Sequence, residues 1–374
     1  MERVFFHDVP RERWDEWVAS VPEATHLHSS DFITYLERSY PDAKPLSFAL
    51  VDERGVAQAI CPMAVGRIEH AGIGFVDASF SGEPLGAPAV RRDSPSSARR
   101  AQAEAYAALH ALAAEHGAAR ALLRRHPLSI GVMGGADSGI DAFAPLLEGY
   151  QAQPQNTIVI DLALPEDTLT AELSKYHRRH INRSRRDGVT VERFSGEGAA
   201  TDEMFAGYRR AHFLAAGRVT RPEPSFEWMR CLLAEERASL FVAFVGGQPA
   251  SFLFCGAFHG LVFGWSQANL EEFTREQPPR HLLEWEAILD SRARGARFYE
   301  LGINWSAAQP YYAPSDKERS IAEFKRRYGG RLMPEIAFER VFDSALWERL
   351  ESARAARFLE SDAFDASEPA GDDE

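Results

Sequence analysis

Cysteine is scarce in this chain: Cys61, Cys231 and Cys255 are widely spaced, with no CxxC pair and no histidine at ligand spacing. Their pattern excludes a disulfide framework and a cysteine-based metal site, and their apolar neighbours predict buried thiols. Long apolar runs are missing too, since no stretch approaches the roughly 18 to 20 uncharged residues that span a bilayer. The opening Met1-Glu2-Arg3-Val4 has no signal-peptide core, which predicts a cytoplasmic protein. Positive charge is in deficit, with 42 lysines and arginines against 55 acids. Nonspecific duplex binding, which draws its affinity from cations that displace counterions, is therefore not expected. Part of the acidity lies in Glu360 to Glu374 (ESDAFDASEPAGDDE), too acidic and small-residue-rich to build a core, and predicted disordered.

What is present reads as a folded protein. Hydrophobic residues make up 45% and charged residues 26%, in a chain of 374 residues that is long enough for two cores. Arg11 to Val18 carries Trp14 and Trp17 at i, i+3 spacing on one helical face. Ser30 to Ser39 reads as a second helix capped by Ser29 or Ser30. Leu46 to Asp52 and Ala57 to Gly66 flank Glu53-Arg54-Gly55 as a hairpin, and Phe75 to Pro88 reads as a Gly/Pro-rich loop lining a cleft. A helix over Pro95 to His116 ends at Gly117. The polar stretch Gln151 to Asn156 is the expected domain boundary. Beyond it the chain repeats the grammar of helices, hairpin, strand and helix. The hairpin is Ser239 to Val245 with Gln248 to Ala257, followed by the strand Leu261 to Ser266, the helix Pro279 to Gly295 and the strand Arg297 to Gly302. This echo predicts a duplicated α+β unit.

Three stretches carry chemistry. Lys175 to Arg186 is a helix with Lys175, Arg178, Arg179, Arg183, Arg185 and Arg186 and no acid. Leu169, Leu173, Tyr176 and His180 or Ile181 form its apolar stripe, with Asp167 as its cap and Gly188 as its end. Like charges at i, i+4 repel, and a phosphate-bearing ligand would relieve that, so Arg178 and Arg179 are candidate anion contacts against the alternative of a solvated face. Arg218 and Arg221 emerge from a second helix end, and their forks suit phosphate or carboxylate, or a surface salt bridge. The third stretch, Phe298 to Gly330, contains Glu300-x-Gly302, Lys317-Glu318, Ile321, Phe324-Lys325 and Tyr328-Gly329-Gly330.

This run resembles the C-terminal signature of Fem-type aminoacyltransferases and their GNAT-like relatives from polysaccharide gene clusters. The resemblance covers about Asn156 to Met333 well and the first half loosely. It implies an α+β (α/β-class) chain with two tandem GNAT-like domains, each a mixed, mostly antiparallel sheet flanked by helices, with a cleft between them. The expected divisions are residues 1–153, 154–345 and, for a helix end and acidic tail, 346–374. It further implies a bacterial N-acyltransferase that moves an acetyl or aminoacyl group onto an amine of a phosphorylated or otherwise anionic cell-envelope or polysaccharide precursor. The donor substrate would be acyl-CoA or aminoacyl-tRNA, with no metal and no tightly bound cofactor. The acceptor would be an amino sugar, a sugar nucleotide or a lipid-linked precursor, and a tRNA acceptor end would be a second partner. Carried onto this sequence, Phe324 and Lys325 lie at the reacting centre and Arg218 or Arg221 on the acceptor's phosphates. Lys317, Asn304 and Tyr312 join the acceptor contacts. A lysine ammonium suits the oxyanion formed when an amine attacks an ester or thioester. Glu300 would take the amine proton if it faces the cleft, the alternative being a strand-end acid paired with an arginine.

One departure is plain. The Gly-rich loop that offers backbone N–H groups to the CoA pyrophosphate is missing, and Glu276-Gln277-Pro278-Pro279-Arg280 stands in its place, where two prolines remove two donors. Either the donor is not CoA, or side chains such as Arg275 and Arg280 hold its phosphates. An aminoacyl-tRNA-dependent, peptidoglycan-type enzyme and a non-catalytic GNAT-like module for a sugar nucleotide are the competing readings. The lost loop favours the module; the retained Phe324-Lys325 and Glu300 favour an enzyme.

Overall fold

The computed structural model describes residues 1–128, 143–219, 221–274, 279–304, 312 and 314–360. The chain opens with β1 (Glu2–Phe5), α1 (Arg11–Ser20), α2 (Ser30–Ser39), β2 (Lys44–Pro45), β3 (Phe48–Val51) and β4 (Ala57–Cys61). Next come β5 (Ala64–His70), β6 (Ile73–Ala78), β7 (Leu85–Gly86), β8 (Ala89–Val90), α3 (Pro95–Glu115) and β9 (Arg120–Arg125). The middle holds α4 (Ala144–Leu147), β10 (Gln151–Asp161), α5 (Glu166–Glu172), α6 (Lys175–Arg186), β11 (Thr190–Phe194), α7 (Ala199–Ala216) and α8 (Glu223–Ala234). The last part holds β12 (Ala238–Val245), β13 (Gln248–Phe258), β14 (Leu261–Asn269), α9 (Glu271–Thr274) and α10 (Arg280–Ala293). It closes with β15 (Phe298–Ile303), α11 (Asp316–Arg326), β16 (Arg331–Val341) and α12 (Ser344–Leu359).

Local chemistry accounts for most of these elements. Trp14 and Trp17 bury the inner face of α1, and the Ser29 hydroxyl accepts the Phe32 N–H at 3.2 Å to start α2. The Ser94 hydroxyl caps α3 just ahead of Pro95, and Gly117 beyond its end sits at φ +68°. The basic helix departs from expectation. It is broken after Leu173, so Ser174 rather than Asp167 caps α6, accepting the His177 N–H at 3.1 Å. The break resets the helical phase, so that His177 and Ile181 turn inward while Tyr176 stays exposed.

The expected pair of separate sheets is not what forms. A single twelve-stranded sheet runs β11-β12-β13-β14-β15-β10-β16-β9-β6-β5-β2, with β7 beside β9, and a four-stranded sheet β1-β3-β4-β8 stands apart. The joint is β16, which lies antiparallel between β10 and β9, pairing Gln151 with Glu339 on one side and Ile336 with Arg125 on the other. The polar stretch Gln151 to Asn156 is thus the first half of β10, partly exposed, while Thr157 to Ile160 of the same strand is buried. At the seam Arg120 is almost fully buried and donates to Asp77 at 2.8 and 3.0 Å and to Glu339 at 3.0 Å. Arg354 of α12 reaches Glu339 from the other side at 2.6 and 2.8 Å.

Three smaller expectations also change. Phe75 to Pro88 begins as strand β6 and buries Phe80 and Leu85 completely, so it is packed chain and not an open cleft lining. Cys61 and Cys255 are buried, but Cys231 is exposed on α8. The acidic tail from Ser361 onward lies outside the described residues, as does Arg275. Among the described residues no helix is long and apolar enough to cross a membrane.

Candidate active site

A break in strand pairing opens the site. β14 and β15 run parallel, joined through α10, and pair only over Leu261 with Phe298, Val262 with Tyr299 and Phe263 with Glu300. Beyond that point β14 continues to Asn269 and β15 to Ile303 without pairing each other. A cavity of about 530 Å³ fills the opening, walled by Gly264 to Asn269 of β14, Leu301 of β15, Arg280 and Glu284 of α10, and Lys317, Phe324 and Lys325 of α11.

Helix α11 presents its residues because Ser315 and Glu318 form a capping box at its start and Tyr328-Gly329-Gly330 turns the chain into β16. At Gly329 and Gly330, φ is +84° and +80°, and an added Cβ would meet Glu172 Cβ at 2.7 Å and Val159 O at 2.8 Å. Only glycine fits this reversal. Lys325, partly buried, donates to the Ile303 carbonyl at 2.8 Å. Burial lowers its pKa, and the carboxylates Glu284, Glu300 and Glu335 offset part of that effect. The Arg280 guanidinium lies 4.8 Å over the Phe324 ring. Lys325, Phe324, Lys317 and Arg280 are therefore brought together in one cavity.

Glu300 sits beneath it. The carboxylate, 6% exposed, accepts from Thr157 Oγ1 at 2.8 Å and lies 2.8 Å from His126 Nε2. His126 Nδ1 accepts the Leu128 N–H at 3.2 Å, which leaves the Nε2 hydrogen for Glu300. Burial opposes the charge on Glu300, yet the His126 ring and its hydrogen bond, with His26 and Thr157, outweigh it and hold the pKa at about 2. Glu300 does not line the cavity, and its two oxygens are engaged by Thr157 and by a histidine rather than an arginine, so it ties the two parts of the chain together and this geometry lends no support to the proton-accepting role expected of it.

Arg221 lines a groove of about 600 Å³ together with Arg209, Arg210, Phe213, Arg218, Glu223 and Phe226, in which Glu223 is paired with Arg209. The Arg221 guanidinium bonds Tyr35 of α2 at 2.7 Å and Ser266 of β14 at 3.1 Å, and lies 2.9 Å from His212. Arg218 is exposed in the same groove. The remaining candidates stand apart. Asn304 is buried and bonded to Asn156 at 2.9 Å and Arg326 at 3.3 Å, which makes it a brace and no acceptor contact. Tyr312 stands beside Glu318 at the start of α11, its pKa pushed up to about 12 by burial and that carboxylate. Arg178 and Arg179 lie on the outer faces of α6 and line neither the cavity nor the groove.

Glu284 escaped sequence reasoning. Its signal was an acid within the apolar face of α10, among Leu283, Ala287, Ile288 and Ser291, all of which are buried. Among the described residues no group of three histidines, cysteines or acids could hold a metal ion.

Residues 172–326 match the acetyltransferase (GNAT) domain family. No curated protein matches the sequence. The fold is similar to the crystal structure of FemX, with a TM-score of 0.65 at 15% identity over 94% of this chain and 100% of that one. It is also similar to the C-terminal domain of a putative lysylphosphatidylglycerol synthetase from Agrobacterium fabrum, with a TM-score of 0.57 at 14% identity over 92% and 96%. The L-PGS structure from Bacillus licheniformis gives 0.56 at 13% over the same shares. At these identities the likeness is one of fold.

Proposed function

We infer that this chain, whose residues 172–326 match the GNAT acetyltransferase domain family, is an N-acyltransferase that moves an acetyl or aminoacyl group onto an amine of an anionic cell-envelope precursor. The observation that carries the reading is the ammonium of Lys325 in the cavity where β14 and β15 separate. A donor ester or thioester lying in that cavity meets a cation suited to the oxyanion of the tetrahedral intermediate. Phe324 and Arg280, stacked on each other, form the donor's apolar and charged wall, with Lys317 at the rim. The acceptor's anionic group fits the arginine groove, and the contact between Arg221 and Ser266 sets that groove against the cavity. Residues 1–153 and 154–345 act as two GNAT-like halves sharing one sheet, and the enzyme works in the cytoplasm, where thioester and aminoacyl donors are made.

The lysylphosphatidylglycerol synthetases among the similar folds are named for an aminoacylated anionic lipid, which supports an aminoacyl donor and a phosphate-bearing acceptor here. An acyl-CoA donor is the second reading. It is favoured by the GNAT domain match and opposed by Pro279, the N-cap of α10, which has no N–H to offer a phosphate, in a helix start that no side chain caps. The test is a transfer panel of acetyl-CoA, longer acyl-CoA thioesters and aminoacyl-tRNAs against amino-sugar phosphates, UDP-amino sugars and phosphatidylglycerol vesicles, read by mass spectrometry. Amide product with at least one pair supports the reading, whereas ester product on phosphatidylglycerol alone would replace the amine acceptor with a hydroxyl. Binding of a UDP-sugar without transfer from any donor would replace it with the binding module.

A further inference from the structure

Glu284 is a buried carboxylate that the reading above leaves without a task. It is 6% exposed, and it lines the same cavity as Lys325. The Tyr299 hydroxyl donates to its Oε1 at 2.6 Å, and the Cys255 sulfur lies 3.6 Å from that hydroxyl. Gly264 is the first β14 residue past the last pair with β15, and an ideal Cβ built there would stand 3.7 Å from Glu284 Oε1. Gly264 and Glu284 thus lie side by side in the cavity wall.

We propose that Glu284, fixed by the Tyr299 hydroxyl and sharing the cavity wall with Lys325, takes the proton from the attacking amine nitrogen. The proposal rests on the acyl-transfer reading and adds to it the residue that moves the proton. In the step, the neutral amine adds to the acyl carbon to give the tetrahedral intermediate, whose collapse breaks the carbon–sulfur bond of a thioester or the carbon–oxygen bond of an ester. The departing sulfur or oxygen keeps the bonding electron pair. The proton lost from nitrogen goes to the Glu284 carboxylate and from there to the leaving atom, so amide and free thiol or alcohol are the products and Glu284 is restored.

Charge and burial agree with this division of work. Burial raises the Glu284 pKa above its ordinary 4.5, offset in part by the Tyr299 hydrogen bond and by Lys325. The titratable groups facing it are Tyr299 and Cys255 from the sheet, Lys325 from α11 and Tyr328 just beyond that helix. Burial pushes Tyr299, Tyr328 and Cys255 upward, so all three stay neutral where Glu284 titrates. Glu300 offers no comparable acceptor, because Thr157 and His126 already engage its two oxygens.

The experiment takes the donor and acceptor pair that reacts in the transfer panel and measures turnover against pH for the wild type, Glu284→Gln, Glu284→Asp and Tyr299→Phe, with donor affinity by calorimetry. Expected is a loss of about 100- to 10,000-fold in turnover for Glu284→Gln at unchanged donor affinity, the range of general acid–base catalysis. Glu284→Asp should recover part of it. Tyr299→Phe removes a hydrogen bond to the charged form, so its acidic limb should move to higher pH, a displacement that a packing role would not produce. Full turnover in Glu284→Gln, or an acidic limb that stays fixed in both Glu284→Asp and Tyr299→Phe, would overturn the proposal while leaving acyl transfer standing. A wild type inert toward the whole panel would overturn the underlying reading, and this step with it.

Discussion

At the seam of the sheet, Arg120 has both oxygens of Asp77 and one of Glu339 within 3.0 Å, and Arg354 takes up the rest of Glu339. In the cavity, among the described residues, Lys325 donates to a single carbonyl and Glu284 accepts from a single hydroxyl. Both groups of charge are withdrawn from water on the same sheet, yet one is saturated and the other is not. A saturated cluster holds one geometry, since any departure leaves a charge buried alone. Ammonium hydrogens and carboxylate lone pairs left over in a cavity are what a reaction can use.

The sharpest way to break this contrast is at the seam. Arg120→Leu strands Asp77 and part of Glu339, and should cost about 3 to 5 kcal/mol of unfolding free energy, measured by urea denaturation. A loss of under about 1 kcal/mol, typical of exposed pairs, would show that the seam charges are not coupled as described. Next comes Lys325→Met, which keeps most of the apolar stem and removes the ammonium. Turnover should fall about 100- to 1,000-fold, or about 3 to 4 kcal/mol of barrier, with acceptor affinity retained because the ammonium acts on charge present only in the transition state. A raised acceptor dissociation constant at unchanged turnover would reassign Lys325 to phosphate binding.

Glu300 lies between the two cases, buried and saturated but next to the cavity. Glu300→Gln should cost about 1 to 3 kcal/mol at neutral pH through the partners it leaves poorly matched. Its folded pKa of about 2 lies below the ordinary 4.5, so its contribution is fully present above pH 4.5 and lost as pH falls through 2. The variant should therefore lose stability less steeply than the wild type across that window in acid titrations. Equal slopes would mean that the carboxylate is not held low. The smallest effect belongs to the exposed helix. Neither arginine lines the cavity or the groove, so Arg178→Ala with Arg179→Ala should change stability by no more than about 0.5 kcal/mol and weaken acceptor binding only at low salt, through long-range attraction that screening removes. Unfolding, or normal binding at every salt concentration, would remove α6 from the acceptor path.

Local order was legible where periodicity and caps agree. The Trp14 and Trp17 face, the Ser29 cap, the hairpin at Gly246-Gly247 and the end of α3 at Gly117 are all written in short windows. Phe324, Lys325 and Lys317 were legible through a family signature and Arg280 through a departure from it, and the four share one cavity. Sheet connectivity was not, because nothing in Arg331 to Val341 states that it pairs on both edges, and half-exposed Gln151 to Asn156 looks like a linker. Glu300 was marked by the Glu-x-Gly signature and named catalytic, while Glu284, an acid on an apolar helix face, was passed over. What separates them is a histidine 174 residues away on the one and a cavity on the other, both set by tertiary contact.

The position of β16 also constrains how the chain is made. β9 and β10 wait with open edges until Arg331 to Val341 leaves the ribosome, so the two halves cannot finish as independent units during synthesis. A nascent chain stalled before that strand exposes two unpaired edges, each a template for the wrong partner. Completion of the enzyme's cleft is thereby tied to near-completion of the polypeptide, and a fragment ending ahead of residue 331 should recruit chaperones or aggregate instead of folding as a half-sized enzyme.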